Sequence, residues 1–211
     1  LSRIIAPTVS AFEFSLTLAL CPDSVHNAPL VVKMNAKREL MTGNEAIARG
    51  AYEAGVTVAT GYPGTPSTEI LEAAATYKPD IFCEWSPNEK VALEVAVGAS
   101  LTGARSIVTM KHVGLNVAAD PLMTFSYIGA VGGLVICVAD DPGMHSSQNE
   151  QDNRNFARFA KIPVFEPADS AEAREFTQMA LQVSEDFGTP VILRSTTRVS
   201  HSRSLVPLGE R

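Results

Sequence analysis

The chain has 211 residues, 45% hydrophobic, 19% charged and 7% aromatic, a profile that argues against a disordered, collagen-like or membrane protein and fits one well-filled globular domain. Its 17 Lys and Arg against 23 Asp and Glu leave a net charge of −6, and no basic stripe is present to neutralise phosphates, so nucleic acid is not expected as a partner. Cys21, Cys83 and Cys137 lie far apart without a C-x-x-C pair; they supply neither a zinc nor an iron–sulfur site within this chain and suit a reducing cytoplasm.

At the N-terminus, "AFEFSLTLALCPDS" imitates a lipoprotein export signal, with an apolar run ending in Cys21 and Arg3 upstream. Against that reading, the chain starts at Leu1, Glu13 interrupts the run, and the run is far shorter than the roughly 20 residues of a membrane span. Residues 1 to about 33 are expected to be a poorly ordered leader or a start-site artefact, with Met34 opening the domain and residues 34–211 forming it. No membrane partner is expected.

From Leu40 onward, apolar β-rich runs alternate with segments of helical period. "NEAIARGAYEAG" is predicted helix, "VTVATG" strand, "STEILEAAATY" helix, "IFCEW" strand, "NEKVALEVAVGASLTG" helix and "SIVTMK" strand. A helix over Gly114 to Tyr127 follows, then the strand "LVICVAD", a helix over Glu150 to Ala160, a short "VFEP", a helix over Ser170 to Asp186 and the strand "PVILRS". The strands are continuously apolar, as a sheet covered on both faces demands. The expected fold class is α/β, an open, mostly parallel sheet of about six strands with helices on both faces.

In such sheets ligands bind at the loops leaving the carboxyl ends of the strands. Here those loops read "GYPGTPST", "EWSPNE", "KHVGLN" and "DDPGMHSSQNEQD". The first is either a rigid strand-to-helix turn, with Gly64 taking an awkward angle and Ser67 or Thr68 capping the next helix, or a ligand loop that presents the Thr65 hydroxyl. His112 reads equally as a strand-end histidine donating to a carbonyl and as a ligand contact. His145 lies in a polar loop of the kind that carries function. Asp140 and Asp141 are adjacent on extended backbone and point to opposite sides, so no metal bound by this chain alone is expected. Neither a G-x-G-x-x-G fingerprint nor a P-loop occurs.

The stretch "SPNEKVALEVAVGAS" carries two carboxylates on a helix of small apolar residues. Ser86, Pro87 and Glu89 match a capping box, which would leave Glu89 reaching back to the Ser86 amide. The positions on its face are Ala92, Leu93 and Ala96, so Glu89 also leads the buried stripe. Glu94 has Lys90 one turn back and faces solvent. A carboxylate at the lip of a dry pocket can hold or share a proton with a ligand's ring nitrogen, which is what thiamine diphosphate requires at N1′ of its aminopyrimidine.

The strings "GNEAIARGAYEAGV", "GYPGTPSTEI", "EWSPNEKVALEVAVGASLTGAR", "MKHVGLNVAADPLM" and "DDPGMHSSQNEQDNR" closely resemble the pyrimidine-binding domain of indolepyruvate ferredoxin oxidoreductase alpha subunits, which are thiamine diphosphate-dependent 2-oxoacid:ferredoxin oxidoreductases. The resemblance runs from about Met41 to Arg211. It implies that Glu89 activates the cofactor, that Thr65 and Gly64 lie beside the thiazolium and substrate, and that the loop from His112 to Asn116 flanks the aminopyrimidine. The segment from Asp140 to Asp152 would border the substrate entrance. In related pyruvate enzymes an arginine near that segment holds the substrate carboxylate; here the stretch reads Ala139, Asp140, Asp141, and His145 and Arg154 are the candidates that remain. The implied reaction is oxidative decarboxylation of indolepyruvate and similar aryl 2-oxoacids, with electrons passing to [4Fe-4S] clusters and ferredoxin and the acyl group to coenzyme A. The diphosphate and Mg2+ would be held by another domain of the same subunit, alongside a beta subunit. No G-D-G motif or cluster-binding cysteine array occurs in the chain, so the fragment alone is expected to be inactive. The alternatives are a pyrimidine-domain chain of another thiamine diphosphate 2-oxoacid decarboxylase and a non-catalytic doubly wound binding module.

Overall fold

The computed structural model of the protein describes residues 37–211; Cys21, Met34 and the expected leader lie outside the described residues. The elements in chain order are β1 (Arg38–Thr42), α1 (Gly43–Glu53), β2 (Val58–Gly61), α2 (Thr68–Ala74), β3 (Phe82–Trp85), α3 (Glu89–Leu101), β4 (Ser106–Lys111), α4 (His112–Val117) and α5 (Ala119–Ile128). There follow β5 (Leu134–Asp140), α6 (Arg154–Ala160), β6 (Val164–Phe165), α7 (Ser170–Phe187), β7 (Val191–Thr196), α8 (Thr197–His201) and β8 (Arg203–Pro207). Six strands form one parallel sheet in the order β3-β2-β4-β5-β7-β6, as the uninterrupted apolar runs predict.

The register shows why those runs must be apolar throughout. Ile107, Val135, Cys137, Val191 and Leu193 pack into one core with Ile47, Leu71 and Leu181 of α1, α2 and α7. Their neighbours Val108, Leu134, Ile136, Val138 and Ile192 pack into a second core with Leu93, Leu115, Leu122 and Ala157 of α3, α4, α5 and α6. Successive side chains on a strand alternate faces, so both faces are filled, each buried aliphatic side chain contributing about 1.5–3 kcal/mol. Burial pushes the Cys137 thiol up to about 12, which makes it an inert core residue. No helix among the described residues is long and apolar enough to cross a membrane.

Several sequence expectations change. β1 and β8 form a separate antiparallel pair, Leu40 opposite Leu205, which periodicity missed because each strand is short and mostly exposed. The helix expected over Gly114 to Tyr127 starts at His112 and is two helices broken at Ala118, so "KHVGLN" is mostly helix rather than loop. The helix expected from Glu150 begins only at Arg154, because residues before it are spent on side-chain contacts. Ser67 and Thr68 do not cap α2: the Ser67 hydroxyl donates to Gly64 O at 2.7 Å and the Gly64 N–H donates to the Thr68 hydroxyl at 2.8 Å, closing the turn instead.

Close helix contact explains one glycine and leaves another free. A Cβ at Gly50, in α1, would sit 2.4 Å from Arg174 O of α7, whereas one at Gly98, in α3, meets nothing within 4 Å. Gly98→Ala is therefore expected to stabilise the chain by about 0.5–1 kcal/mol, and Gly50→Ala to destabilise it by about 1–3 kcal/mol, against the helix propensity. Urea unfolding of the two variants checks the opposite signs.

Candidate functional site

The sheet order reverses between β2 and β4: β2 leads to β3 on one side through α2, and β3 leads through α3 back to β4 on the other. The carboxyl ends of these two strands diverge, which makes this the topological switch point where open α/β sheets bind ligands. β2 ends at Gly61 and β4 at Lys111.

Glu89 opens α3 at this point. The capping box expected at Ser86 does not form. Asn88 is the N-cap, its side chain accepting from Val91 N at 2.9 Å, while the Ser86 N–H donates to Gly61 O at 2.9 Å. Glu89 thus occupies the first helical position, too early to reach back to Ser86, and is relieved of a capping role. It shares its face with Ala92, Leu93, Ala96 and Ser100 and is only 9% exposed. The Thr60 and Ser106 hydroxyls donate to Ala92 O at 2.8 Å and Ala96 O at 3.0 Å, fixing α3 on the sheet. Glu94 is exposed as expected, but Lys90 pairs with Asp120 at 2.8 Å rather than with it.

The Glu89 side chain lies directly on the backbone of α4. A Cβ at Gly114 would stand 2.6 Å from Glu89 Oε1 and 2.7 Å from its Cγ, so only glycine admits the carboxylate there. No donor to that carboxylate occurs among the described residues. Two residues earlier, His112 is fully buried and its Nε2–H donates to Asn149 O at 3.1 Å, the plain role that its position at a strand end allowed. Its Nδ1 is buried without a partner among the described residues. Asn116 lies on the exposed side of the same helix.

The loop of residues 62–67 approaches from the other strand. Gly64 does not take a positive φ; the Lys111 side chain passes over it, with Cδ 2.9 Å from where a Cβ would stand, so a side chain there would push the lysine stem aside. Thr65 is exposed, and its carbonyl accepts from the Ser146 hydroxyl at 3.5 Å. Lys111 Nζ donates to Ser146 O at 3.1 Å. Ser146, His112 and Lys111 therefore tie the loop after β5 to the rim at which Glu89 sits.

Asp140 and Asp141 point apart, to separate partner sets. Burial pushes the Asp141 carboxyl up, but the Thr197 hydroxyl at 2.7 Å, Ser146 N at 2.8 Å, the Ser147 hydroxyl at 2.7 Å and His145 N outweigh it and hold the group well below the ordinary carboxylate range. Asp140 is buried and its carboxyl is raised by desolvation, against the Arg194 guanidinium at 2.7 Å and Asn153 at 2.8 Å. Arg194, which sequence reasoning missed, also pairs with Glu166; a charged residue inside the apolar run "VILRS" was its one signal.

The two substrate candidates fall differently. Arg154 grips Asp152 through two hydrogen bonds of 2.8 Å and stands 3.6 Å from Glu166, so its charge is already matched. Asp152 is held at about 2 by that guanidinium. His145 is exposed and lines a cavity of about 360 Å³ with Pro142, Thr196, Thr197 and Arg198, residues of the β5 and β7 ends rather than of the switch point. Among the described residues no three His, Cys, Asp or Glu side chains converge on a point.

A model of the family described as pyruvate flavodoxin/ferredoxin oxidoreductase, thiamine diP-bdg, matches residues 49–211. The chain belongs to this family. It is 55% identical over 180 residues to the indolepyruvate oxidoreductase subunit IorA of Archaeoglobus fulgidus, covering 82% of this chain and 29% of that protein. It is 54% identical over 176 residues to the IorA of Pyrococcus abyssi, covering 82% and 27%. The 2-oxoglutarate:ferredoxin oxidoreductase of Magnetococcus marinus, solved with 2-oxoglutarate, coenzyme A and succinyl-CoA, shares the fold at a TM-score of 0.73 and 21% identity over 82% of this chain and 32% of that one. The chain thus spans less than a third of the length of these relatives. As a thiamine diphosphate-binding domain of the oxidoreductase family, it presents residues that fit the aminopyrimidine end of the cofactor: a largely buried glutamate without a donor among the described residues, seated where a glycine makes room.

The anchoring role of Asp141 gives a direct test. Asp141→Ala strands four donors and is expected to cost about 2–4 kcal/mol at pH 7. Because the folded carboxyl titrates below its unfolded value of about 3.9, its contribution is complete above that value and is lost as pH falls through the folded one. Urea unfolding should show the gap between wild type and variant closing below about pH 4.

Proposed function

We propose that this chain is the aminopyrimidine-binding part of an indolepyruvate-type, thiamine diphosphate-dependent 2-oxoacid:ferredoxin oxidoreductase. The observation that carries the reading is Glu89: a carboxylate at the head of an otherwise apolar helix face, at the switch point, packed on Gly114 and without a donor from the described residues. The IorA identity of 55% supports the choice of aryl 2-oxoacids over other substrates.

When bound, thiamine diphosphate supplies a C2 carbanion and an electron sink for decarboxylation. Glu89 would hold or share a proton at N1′ of the aminopyrimidine, the end of the cofactor from which C2 is activated. Gly114 lets that carboxylate approach α4, beside the buried Ala92 and Leu93 of its own helix. Gly64 and Thr65 border the reacting end, with no partner for the Thr65 hydroxyl among the described residues, and the segment from Asp140 to Asp152 forms the substrate side. His112 positions that segment through Asn149 O, and Asn116 faces outward from α4 toward what covers the site. The diphosphate with its Mg2+, the [4Fe-4S] clusters, the beta subunit, ferredoxin and coenzyme A belong to the remainder of the assembly. Among the described residues the sheet ends at β3, where Phe82 and Trp85 are exposed by 56% and 40%, which supports a covering domain.

In the complete enzyme Glu89→Gln is expected to lower turnover and C2 proton exchange by roughly 10²–10⁴-fold with the fold intact; proton NMR of C2 exchange reads this directly, and near-normal exchange would overturn the assignment. Gly114→Ala, which forces the carboxylate off α4, should weaken thiamine diphosphate binding by roughly tenfold or more, measured by calorimetric titration of the complete enzyme.

A further inference from the structure

The proposed reaction needs a cation for the substrate's carboxylate, since an anion in an enclosed site is costly unless it is paired. This inference rests on the function proposed above. The stretch where the resemblance would place an arginine carries Ala139, Asp140 and Asp141 instead, and both carboxylates are saturated by their own donors. Arg154 and Arg194 are matched by Asp152, Glu166 and Asp140.

Lys111 differs from all of these. It ends β4 at the switch point, and among the described residues no carboxylate lies within ion-pair distance of its ammonium. Its stem crosses Gly64, one residue from Thr65. Its Nζ donates to a single neutral acceptor, Ser146 O, at 3.1 Å, and Ser146 in turn reaches Thr65 O. The next residue is His112, and α4 then carries Gly114 under Glu89. Lys111 is therefore the one unmatched cation, among the described residues, that joins the thiazolium-side turn, the substrate-side loop and the helix supporting the catalytic carboxylate. An ammonium carries three donors, so its remaining protons are available to an incoming carboxylate.

We infer that Lys111 binds the carboxylate of the 2-oxoacid substrate, in the role that His145 and Arg154 were candidates to fill. The assignment is tested in the complete enzyme with Lys111→Met, Lys111→Arg and, as a control, Arg198→Met, whose guanidinium lies at the separate cavity beside His145. The readouts are KM and kcat for indolepyruvate, inhibition by indole-3-propionate and by its neutral amide, and the dissociation constant of thiamine diphosphate. Lys111→Met should raise KM and the inhibition constant of the carboxylate roughly 30- to 1000-fold. Amide inhibition and cofactor binding should change by less than about threefold, and Lys111→Arg should recover most of the loss. Equal losses for carboxylate and amide would mean a structural role and overturn the assignment. An unchanged KM, or the KM effect appearing in Arg198→Met instead, overturns it as well. If the wild-type enzyme binds no thiamine diphosphate, the underlying function fails, and that result is separable because it precedes any substitution.

Discussion

A parallel sheet buried on both faces has room for polar chemistry only at its strand ends, and this constraint organises the molecule. β4, β5 and β7 have fully buried interiors, with alternate residues feeding two opposite cores. Of the polar side chains that remain inside, Thr60 and Ser106 are spent on helix carbonyls. What is left over, including Lys111, His112, Asp140 and Asp141, collects where the strands stop.

Within that rim the position of one carboxylate depends on the loss of a competing role. Had α3 begun two residues earlier, Glu89 would have been a capping side chain and its oxygens would have been engaged. The pairing of Ser86 with Gly61 across the strand end, and the availability of Asn88 as a cap, move the helix start forward. The carboxylate then falls against Gly114, where a single methyl group would exclude it.

The loop after β5 is held by charge rather than by apolar packing. Asp141 collects donors from the loop itself and from α8, while Asp140 anchors the following segment through Asn153 and is matched from below by Arg194. Such an arrangement fixes the backbone while leaving the outward side chains of Met144 and His145 exposed.

The residues alone determined the doubly wound sheet, because continuous apolar runs separated by helical periods leave no other way to bury both faces, and the long loop strings were enough to mark the family and to single out Glu89. They did not determine the start of α3, the break between α4 and α5, or the β1–β8 pair, since each is decided by contacts between segments far apart in the chain. Tertiary structure alone decided which charges are matched among the described residues: Arg154 and Lys111 look alike as cations in a string of letters, and only the placement of Asp152 and Glu166 beside the first, and of a bare carbonyl beside the second, separates them. The physical reason is that a side chain's available charge is set by its neighbours in space, which local periodicity does not encode.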